Sequence, residues 1–292
     1  MTTKQVLGFI GLGAMGLPMA ERLSENGFRI HTTVHSNGAP AEALAAKGAV
    51  IHPTAADVFA NCAWVVTILP ADEQLEEVVL SEDVLRHVHE KTVLLEMTSG
   101  SPKAIRKVAE TFAARGGRVL DAPVSGGTIG ATNGTLTVMA GGEHALLGFL
   151  KPVLRQIAAK VIFTGEIGSG KAVKAINQML AAVHMTAASE AIALADKLGI
   201  DRAVLQQVVS GSSGNSWIFA NKSDAVYDRA FEPGFKLRLM KKDVDIALDA
   251  AGKLQLPLAS AAGQLFESAL AQDGELDFAA ISKHIGVKSK HA

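Results

Sequence analysis

Two groups of residues in this sequence have types and spacings that can do chemistry. The first is Gly11-x-Gly13-x-x-Gly16, set directly after the apolar run Val6-Leu7-Gly8-Phe9-Ile10 and opening a helical stretch that reaches Asn26-Gly27. A loop of this kind serves a dinucleotide. The first glycine makes the turn, the second lets backbone approach a pyrophosphate, the third lets helix pack on strand, and the helix N-terminus faces the phosphates. The second group is Lys174, Asn177 and Gln178. Offsets of three and four put their side chains on one helical face. A lysine whose pKa is lowered by desolvation or a nearby cation can pass a proton, and an amide can hold a hydroxyl or a carboxylate. Taken alone, the cluster fits an active site or a solvated polar face, and an isolated Lys-Asn pair favours the latter.

The elements that must position these residues follow from the hydrophobic pattern. Strands are predicted at Val6–Ile10, Ile30–Val34, Val50-Ile51, Trp64–Leu69, Thr92–Glu96, Arg118–Ala122, Leu136–Ala140 and Lys160–Thr164. Between them lie helical stretches at Ala39–Gly48, Ala55–Asn61, Asp72–Leu85, from Pro102 onward with Ser101 as its cap, and at Ala145–Ile157. Strands alternating with helices imply an α/β, doubly wound, parallel sheet of Rossmann type. From Gly168 to Leu198 the chain is rich in strong helix formers, without proline, and Gly199 is a natural stop. One helix on the order of 40 Å long is expected there, joining the two halves. After it the pattern is helical only: Asp201 caps a helix to Val209, and others run from Trp217, from Phe235, over Ser260–Gln272, and from Asp277 to His284. The expected division is a dinucleotide-binding domain over 1–165 and an all-helical substrate and oligomerisation domain over 166–292.

Composition excludes several classes. Hydrophobic residues make up 48% of the 292, enough for a sizeable core. The net charge of -1 argues against nucleic acid as a partner, and the one basic stretch, Lys288-Ser289-Lys290-His291, reads as a solvated end. Cys62 is the only cysteine, which rules out an intrachain disulfide or a thiolate zinc cluster and leaves a buried structural thiol. The nine histidines form no metal constellation, so no metal is expected. The start of the chain lacks a signal-peptide pattern, and its most apolar helix is interrupted by His184 and Glu190. A cytoplasmic protein that does not span a membrane is expected.

Cofactor choice is read at the end of the second strand. A user of NAD usually carries an acid there, about 20 residues past the glycine loop, for the ribose diol. Here the chain reads Thr33-Val34-His35-Ser36-Asn37-Gly38, with no carboxylate between Glu25 and Glu42. His35, Ser36 and Asn37 could donate to a 2′-phosphate, though no arginine accompanies them. The reading is NADP or NAD, with a modest lean to NADP.

The residues together resemble the β-hydroxyacid dehydrogenase family, which includes 3-hydroxyisobutyrate dehydrogenases and tartronate semialdehyde reductases. Phe9 to Ala20 resembles its opening signature, Asp121-Ala122-Pro123-Val124-Ser125-Gly126-Gly127 its substrate motif, Gly168-Ser169-Gly170 with Lys174 its catalytic motif, and Lys242-Asp243 its C-terminal contact. The four motifs stand in the family's order over nearly the whole chain. The resemblance implies a Rossmann-type domain, a helical second domain with a cleft between them, and a homodimer or homotetramer. It implies interconversion of a small 3-hydroxy acid and its semialdehyde or keto form with NAD(P). It makes Lys174 the general acid/base, and Ser125, Gly126 and Gly127 the binders of a substrate carboxylate. Gly11, Leu12, Gly13, Ala14, Met15, Gly16, Leu69, Pro70 and Ser99 become cofactor contacts, beside His35 and Ser36, and Lys242 touches cofactor and substrate.

Three departures stand out. Many members have Asn-Asn where this chain has Asn177-Gln178, so either amide can be the substrate ligand. The usual Asp-Met-Ser-Thr reads Glu96-Met97-Thr98-Ser99. The second strand lacks the marks of either cofactor. Beside Asn215-Ser216, Trp217 is assigned to the substrate and Phe235 to the cofactor side of a distal pocket, with plain core packing as the alternative for both. Competing functions are imine reduction on the same scaffold, whose members generally replace the lysine retained here, and an interaction protein that has lost catalysis.

Overall fold

The structure is a computed structural model that describes residues 5–285; the extreme N-terminus and the basic tail Lys288–His291 lie outside them. The chain divides into two units, one ending at Lys174 and the other beginning at Ala175.

The first unit is built on one sheet of strands β1 (Gln5–Ile10), β2 (Phe28–Thr33), β3 (Val50–His52), β4 (Trp64–Thr67), β5 (Val93–Glu96), β6 (Arg118–Asp121), β7 (Val124–Ser125), β8 (Leu136–Gly142) and β9 (Ala158–Gly165). Their order is β3-β2-β1-β4-β5-β6-β8-β7, with β9 on β8. The pairings from β3 to β6 are all parallel. The expected parallel sheet therefore gains an antiparallel flank, because β6 and β7 both run against β8. Pro123 sits between β6 and β7; it has no N–H to give the ladder, but its carbonyl still accepts from Met139 N–H at 3.0 Å.

Helices interleave with the strands: α1 (Gly16–Glu25), α2 (Ala39–Ala46), α3 (Ala55–Asn61), α4 (Asp72–Val79), α5 (Glu82–Leu85), α6 (Pro102–Ala113), α7 (Gly127–Asn133) and α8 (His144–Ile157). The strands alternate their side chains between two cores. Leu7, Phe9, Ile30, Val93 and Leu95 face one with Met19 and Leu23; Ile10, Val65 and Leu94 face the other with Phe59, Leu75 and Phe112. Cys62 is buried in the second core, where burial pushes its thiol up to about 12.

Local chemistry explains where the sequence reading holds and where it fails. Ser101 caps α6 as expected, accepting from Ala104 N–H at 3.1 Å. The single helix expected over Asp72–Leu85 is two, because Ser81 accepts from Val84 N–H and starts a new turn. The strand expected to end at Ala140 runs on through Gly141 and Gly142. The short β7 and α7 have too few residues to leave a periodic signal in the sequence.

The long helix α9 (Ser169–Leu198) has 30 residues and crosses from the first unit into the second. The second unit continues with α10 (Arg202–Ser210), α11 (Trp217–Asp228), α12 (Leu237–Ala251), α13 (Pro257–Asp273) and a 3-10 helix, Phe278–His284. Its core gathers Met185 and Ile192 of α9 with Phe219, Leu237, Met240, Val244, Phe266 and Phe278. Asp201 and Asp277 cap as expected, although the last element is 3-10 rather than α. No helix among the described residues is long and apolar enough to cross a membrane.

Candidate functional site

The glycine loop lies where the strand order reverses, between β1 and β4, at the ends where open parallel sheets bind ligands. Its three glycines answer three different constraints. Gly11 has φ +104°, and a Cβ there would stand 2.1 Å from the Ile68 carbonyl oxygen. Gly16 presses the start of α1 onto the loop, where a Cβ would meet the Gly11 carbonyl oxygen at 1.8 Å. Around Gly13, by contrast, nothing lies within 4 Å of the place a Cβ would take. Two glycines are thus dictated by the protein itself, and the third leaves open space beside backbone. The first turn of α1 has no side-chain cap, Met15 being its N-cap residue. Open space, a bare helix start and a glycine backbone fit a dinucleotide pyrophosphate. His35 and Ser36 are exposed just past β2.

The neighbouring strand ends are tied together by buried polar groups. Leu69 N–H donates to Thr98 Oγ1 at 2.9 Å, which fixes the loop after β4 against the loop after β5. Thr98 N–H donates to Glu96 Oε1 at 2.9 Å. The ammonium of Lys171 donates to Glu96 Oε2 and, at 2.5 Å, to the Thr98 carbonyl oxygen. Lys171, Glu96, Thr98 and Asp121 are all fully buried. Lys171 N–H donates to Asp121 Oδ2 at 3.0 Å. Burial pushes the Asp121 carboxyl up to about 6, with the Lys171 ammonium pulling the other way.

These bonds and two glycines set the start of α9. Gly168 has φ +90°, and a Cβ on Gly170 would stand 2.4 Å from the Met139 carbonyl oxygen. The Ser169 and Thr164 hydroxyls share a hydrogen bond at 2.7 Å. Lys174 then follows Lys171 by three residues and is only 7% exposed. The turn after Asp121 bends through Gly126, φ +134°, and Gly127, φ +62°, conformations that a side chain would strain. Ser125 ends β7 beside them, half-buried.

The second unit has its own buried polar centre. Gln178 Nε2 donates to Asp243 Oδ2 at 2.9 Å, and Asn177 Nδ2 donates to Gln178 Oε1 at 3.2 Å. Lys242 Nζ stands 3.0 Å from Asp243 Oδ1. Gln178 is buried and Asn177 exposed. Phe235 stacks edge-on against Phe278, and its N–H donates to the buried Asp277 at 3.1 Å. Trp217 is 70% exposed at the start of α11, so it belongs to no core. Among the described residues no group of three His, Cys, Asp or Glu is placed to hold a metal.

Sequence reasoning gives Lys171 no role, and Glu96, Thr98, Asp121 and Asp243 enter it only as members of longer motifs. One signal pointed to them: charged residues embedded in otherwise apolar runs, such as Glu96 after Val93-Leu94-Leu95. A buried charge needs a partner, but the linear sequence does not say which.

A glycine cradle at the switch point of a parallel sheet, and a buried lysine opening the helix beside it, define a nucleotide-dependent dehydrogenase. A family profile described as the NAD binding domain of 6-phosphogluconate dehydrogenase matches residues 6–165, and one described as NAD-binding of NADP-dependent 3-hydroxyisobutyrate dehydrogenase matches residues 168–285. The chain is 35% identical to the 2-hydroxy-3-oxopropionate reductase of Escherichia coli K12, over 98% of each chain. It is 36% identical to a 3-hydroxyisobutyrate dehydrogenase of Pseudomonas aeruginosa, over 95% of this chain and 97% of the other. The solved 3-hydroxyisobutyrate dehydrogenase of Mycobacterium tuberculosis with L-serine superposes with a TM-score of 0.88 at 32% identity, over 96% of this chain and 99% of that one. The chain belongs to the β-hydroxyacid dehydrogenase family. Its cofactor is a nicotinamide dinucleotide.

The Asp121 carboxyl gives a pH prediction. Its pKa in the folded chain, about 6, exceeds the ordinary 3.8. The folded state therefore binds this proton more tightly, and the group's contribution to stability is full below pH 3.8 and lost as pH rises through about 6. Asp121→Asn cannot ionise, yet it keeps an oxygen for Lys171 N–H. The melting temperature of the variant minus that of the wild type should rise by a few degrees between pH 4 and 7 and then level off. A difference that is flat across this range would show that Asp121 does not titrate as stated.

Proposed function

We propose that the protein interconverts a small 3-hydroxy acid and its semialdehyde by hydride transfer, with Lys174 as general acid and base. The observation that carries this reading is a lysine buried to 7% exposure on a helix whose start is bonded to the ends of β5 and β6. That is the same sheet edge on which the glycine cradle opens. The nicotinamide, when bound, supplies the hydride in reduction and takes it in oxidation. Lys174 Nζ gives a proton to the carbonyl oxygen in reduction and recovers it from the hydroxyl in oxidation. The Ser125 hydroxyl and the Gly126 and Gly127 N–H groups hold the carboxylate, with no side chain at the glycines to crowd it. Gln178 is engaged by Asp243, whereas Asn177 is exposed, so the substrate hydrogen bond is assigned to Asn177. Leu69, Pro70 and Ser99 line the cofactor side. Three- and four-carbon acids like those named for the relatives, 3-hydroxyisobutyrate and 2-hydroxy-3-oxopropionate, are the substrates to test first. A single, buried cysteine suits the reducing cytoplasm.

Lys174→Ala should lower kcat by about 10²–10⁴-fold, the usual worth of general acid/base catalysis, with the affinity for NADPH little changed. If instead KM rises while kcat stays near that of the wild type, Lys174 anchors substrate and does not transfer the proton.

The end of β2 offers no carboxylate to repel a 2′-phosphate, so NADPH should bind at least as well as NADH. His35→Asp should shift preference toward NADH in fluorescence titration. A wild type that strongly prefers NADH would overturn this assignment.

On α9, Ile176, Leu180, Leu194 and Leu198 are exposed, an apolar surface suited to a homodimer or homotetramer. Light scattering at micromolar concentration should give at least twice the monomer mass, and a monomer would refute the assembly.

A further inference from the structure

Lys171 is fully buried, yet the proposed chemistry does not use it. An ammonium is expensive to bury, and a methionine or leucine could fill similar space without that cost. What the ammonium adds is direction. It donates to the Glu96 carboxylate and to the Thr98 carbonyl oxygen, the last backbone acceptor before Ser99. Glu96 also accepts from Thr98 N–H at 2.9 Å and lies 3.5 Å from the Thr67 hydroxyl. Thr98 Oγ1 accepts from Leu69 N–H at 2.9 Å. The main chain of Lys171 is itself held by Asp121 at 3.0 Å. One residue is thereby linked, within one or two hydrogen bonds, to the ends of β4, β5 and β6. Three residues further along the helix, on the neighbouring part of the same face, stands Lys174.

We infer that Lys171 is a positioning residue for the reaction: its ammonium, clamped by Glu96, fixes both the Thr98-Ser99 backbone and the first turn of the helix that bears Lys174. This rests on reading Lys174 as the proton-transfer group. Hydride and proton transfer depend on placement to within about an ångström, and a displacement of that size can cost on the order of 10²-fold in rate. A residue that merely filled space would stabilise the fold without influencing the chemical step.

The experiment uses the full chain, NADPH and 2-hydroxy-3-oxopropionate, with the double variant Glu96→Gln and Lys171→Met beside Lys174→Ala. The double variant removes both charges, keeps the side-chain sizes, and leaves the Asp121 carboxyl its backbone donor at residue 171. Its circular dichroism and melting should stay close to wild type. Its kcat should fall by about 10²-fold, and the primary deuterium isotope effect with 4-deuterated NADPH should rise, because the chemical step becomes more fully rate-limiting. The isotope effect distinguishes positioning from stability, since a structural role leaves it unchanged in the folded fraction. Should the double variant not fold, Glu96→Asp keeps a carboxylate opposite Lys171 but draws it back by one methylene, and a fall of about 10-fold in kcat with a raised isotope effect is expected. Values of kcat and isotope effect within twofold of wild type, in either folded variant, overturn the inference. A silent double variant beside an inactive Lys174→Ala overturns this inference alone, while wild-type turnover in Lys174→Ala overturns the reading of Lys174 and this inference with it.

Discussion

A buried ammonium at the start of α9 can exist only because a buried carboxylate at the end of β5 faces it. Removing one partner of such a pair typically costs about 3–5 kcal/mol, since the other is left charged and dry. Lys171 and Glu96 must therefore form together, and in forming they fix where a 30-residue helix begins relative to the sheet of the first unit. Asp121 adds a second tie from the next strand, to the backbone of the same residue. Gly170 permits the close approach that these bonds require, because any side chain there would run into the Met139 carbonyl.

The glycine loop works on a different physical basis. Gly11 and Gly16 are demanded by sterics within the protein, where a Cβ would strike backbone oxygen at 2.1 and 1.8 Å. No such clash constrains Gly13, where nothing lies within 4 Å of the place a Cβ would take. Backbone conformation is the reason for glycine in the turn after β7, where Gly126 and Gly127 both have positive φ.

The second unit holds its polar residues by buried acids. Asp243 takes the amide of Gln178 and stands beside Lys242, and Asp277 gathers Lys222 with the N–H groups of Gly234, Phe235 and Ala279. Asp277 has four donors, as desolvation requires, whereas Asp243 has the Gln178 amide on one oxygen and the Lys242 ammonium 3.0 Å from the other. The Asp277 cluster fixes the turn that carries Phe235, so this ring is set by hydrogen bonds to its backbone as well as by contact with Phe278.

Much of this protein was determined by the sequence alone. The apolar run before Gly11, the spacing of the three glycines, the alternation of strands with helices and the proline-free stretch to Leu198 each depend on local propensity or short-range periodicity, and they specify the fold class and the long helix. Caps at Ser101, Asp201 and Asp277 were legible for the same reason, since a cap bonds within three residues of itself. The resemblance of Gly168-Ser169-Gly170 with Lys174 to a family motif singles out Lys174, and the role proposed for it rests on that motif together with its burial. Tertiary structure alone decided the rest. The antiparallel flank at β8 follows from pairing between distant segments, and the break at Ser81 from a cap that competes with helix continuation. The union of Lys171 with Glu96, 75 residues away, leaves no local trace beyond two charges in apolar surroundings. Local sequence encodes what a residue does to its neighbours in the chain, but the partner of a buried charge is chosen only when the chain closes around it.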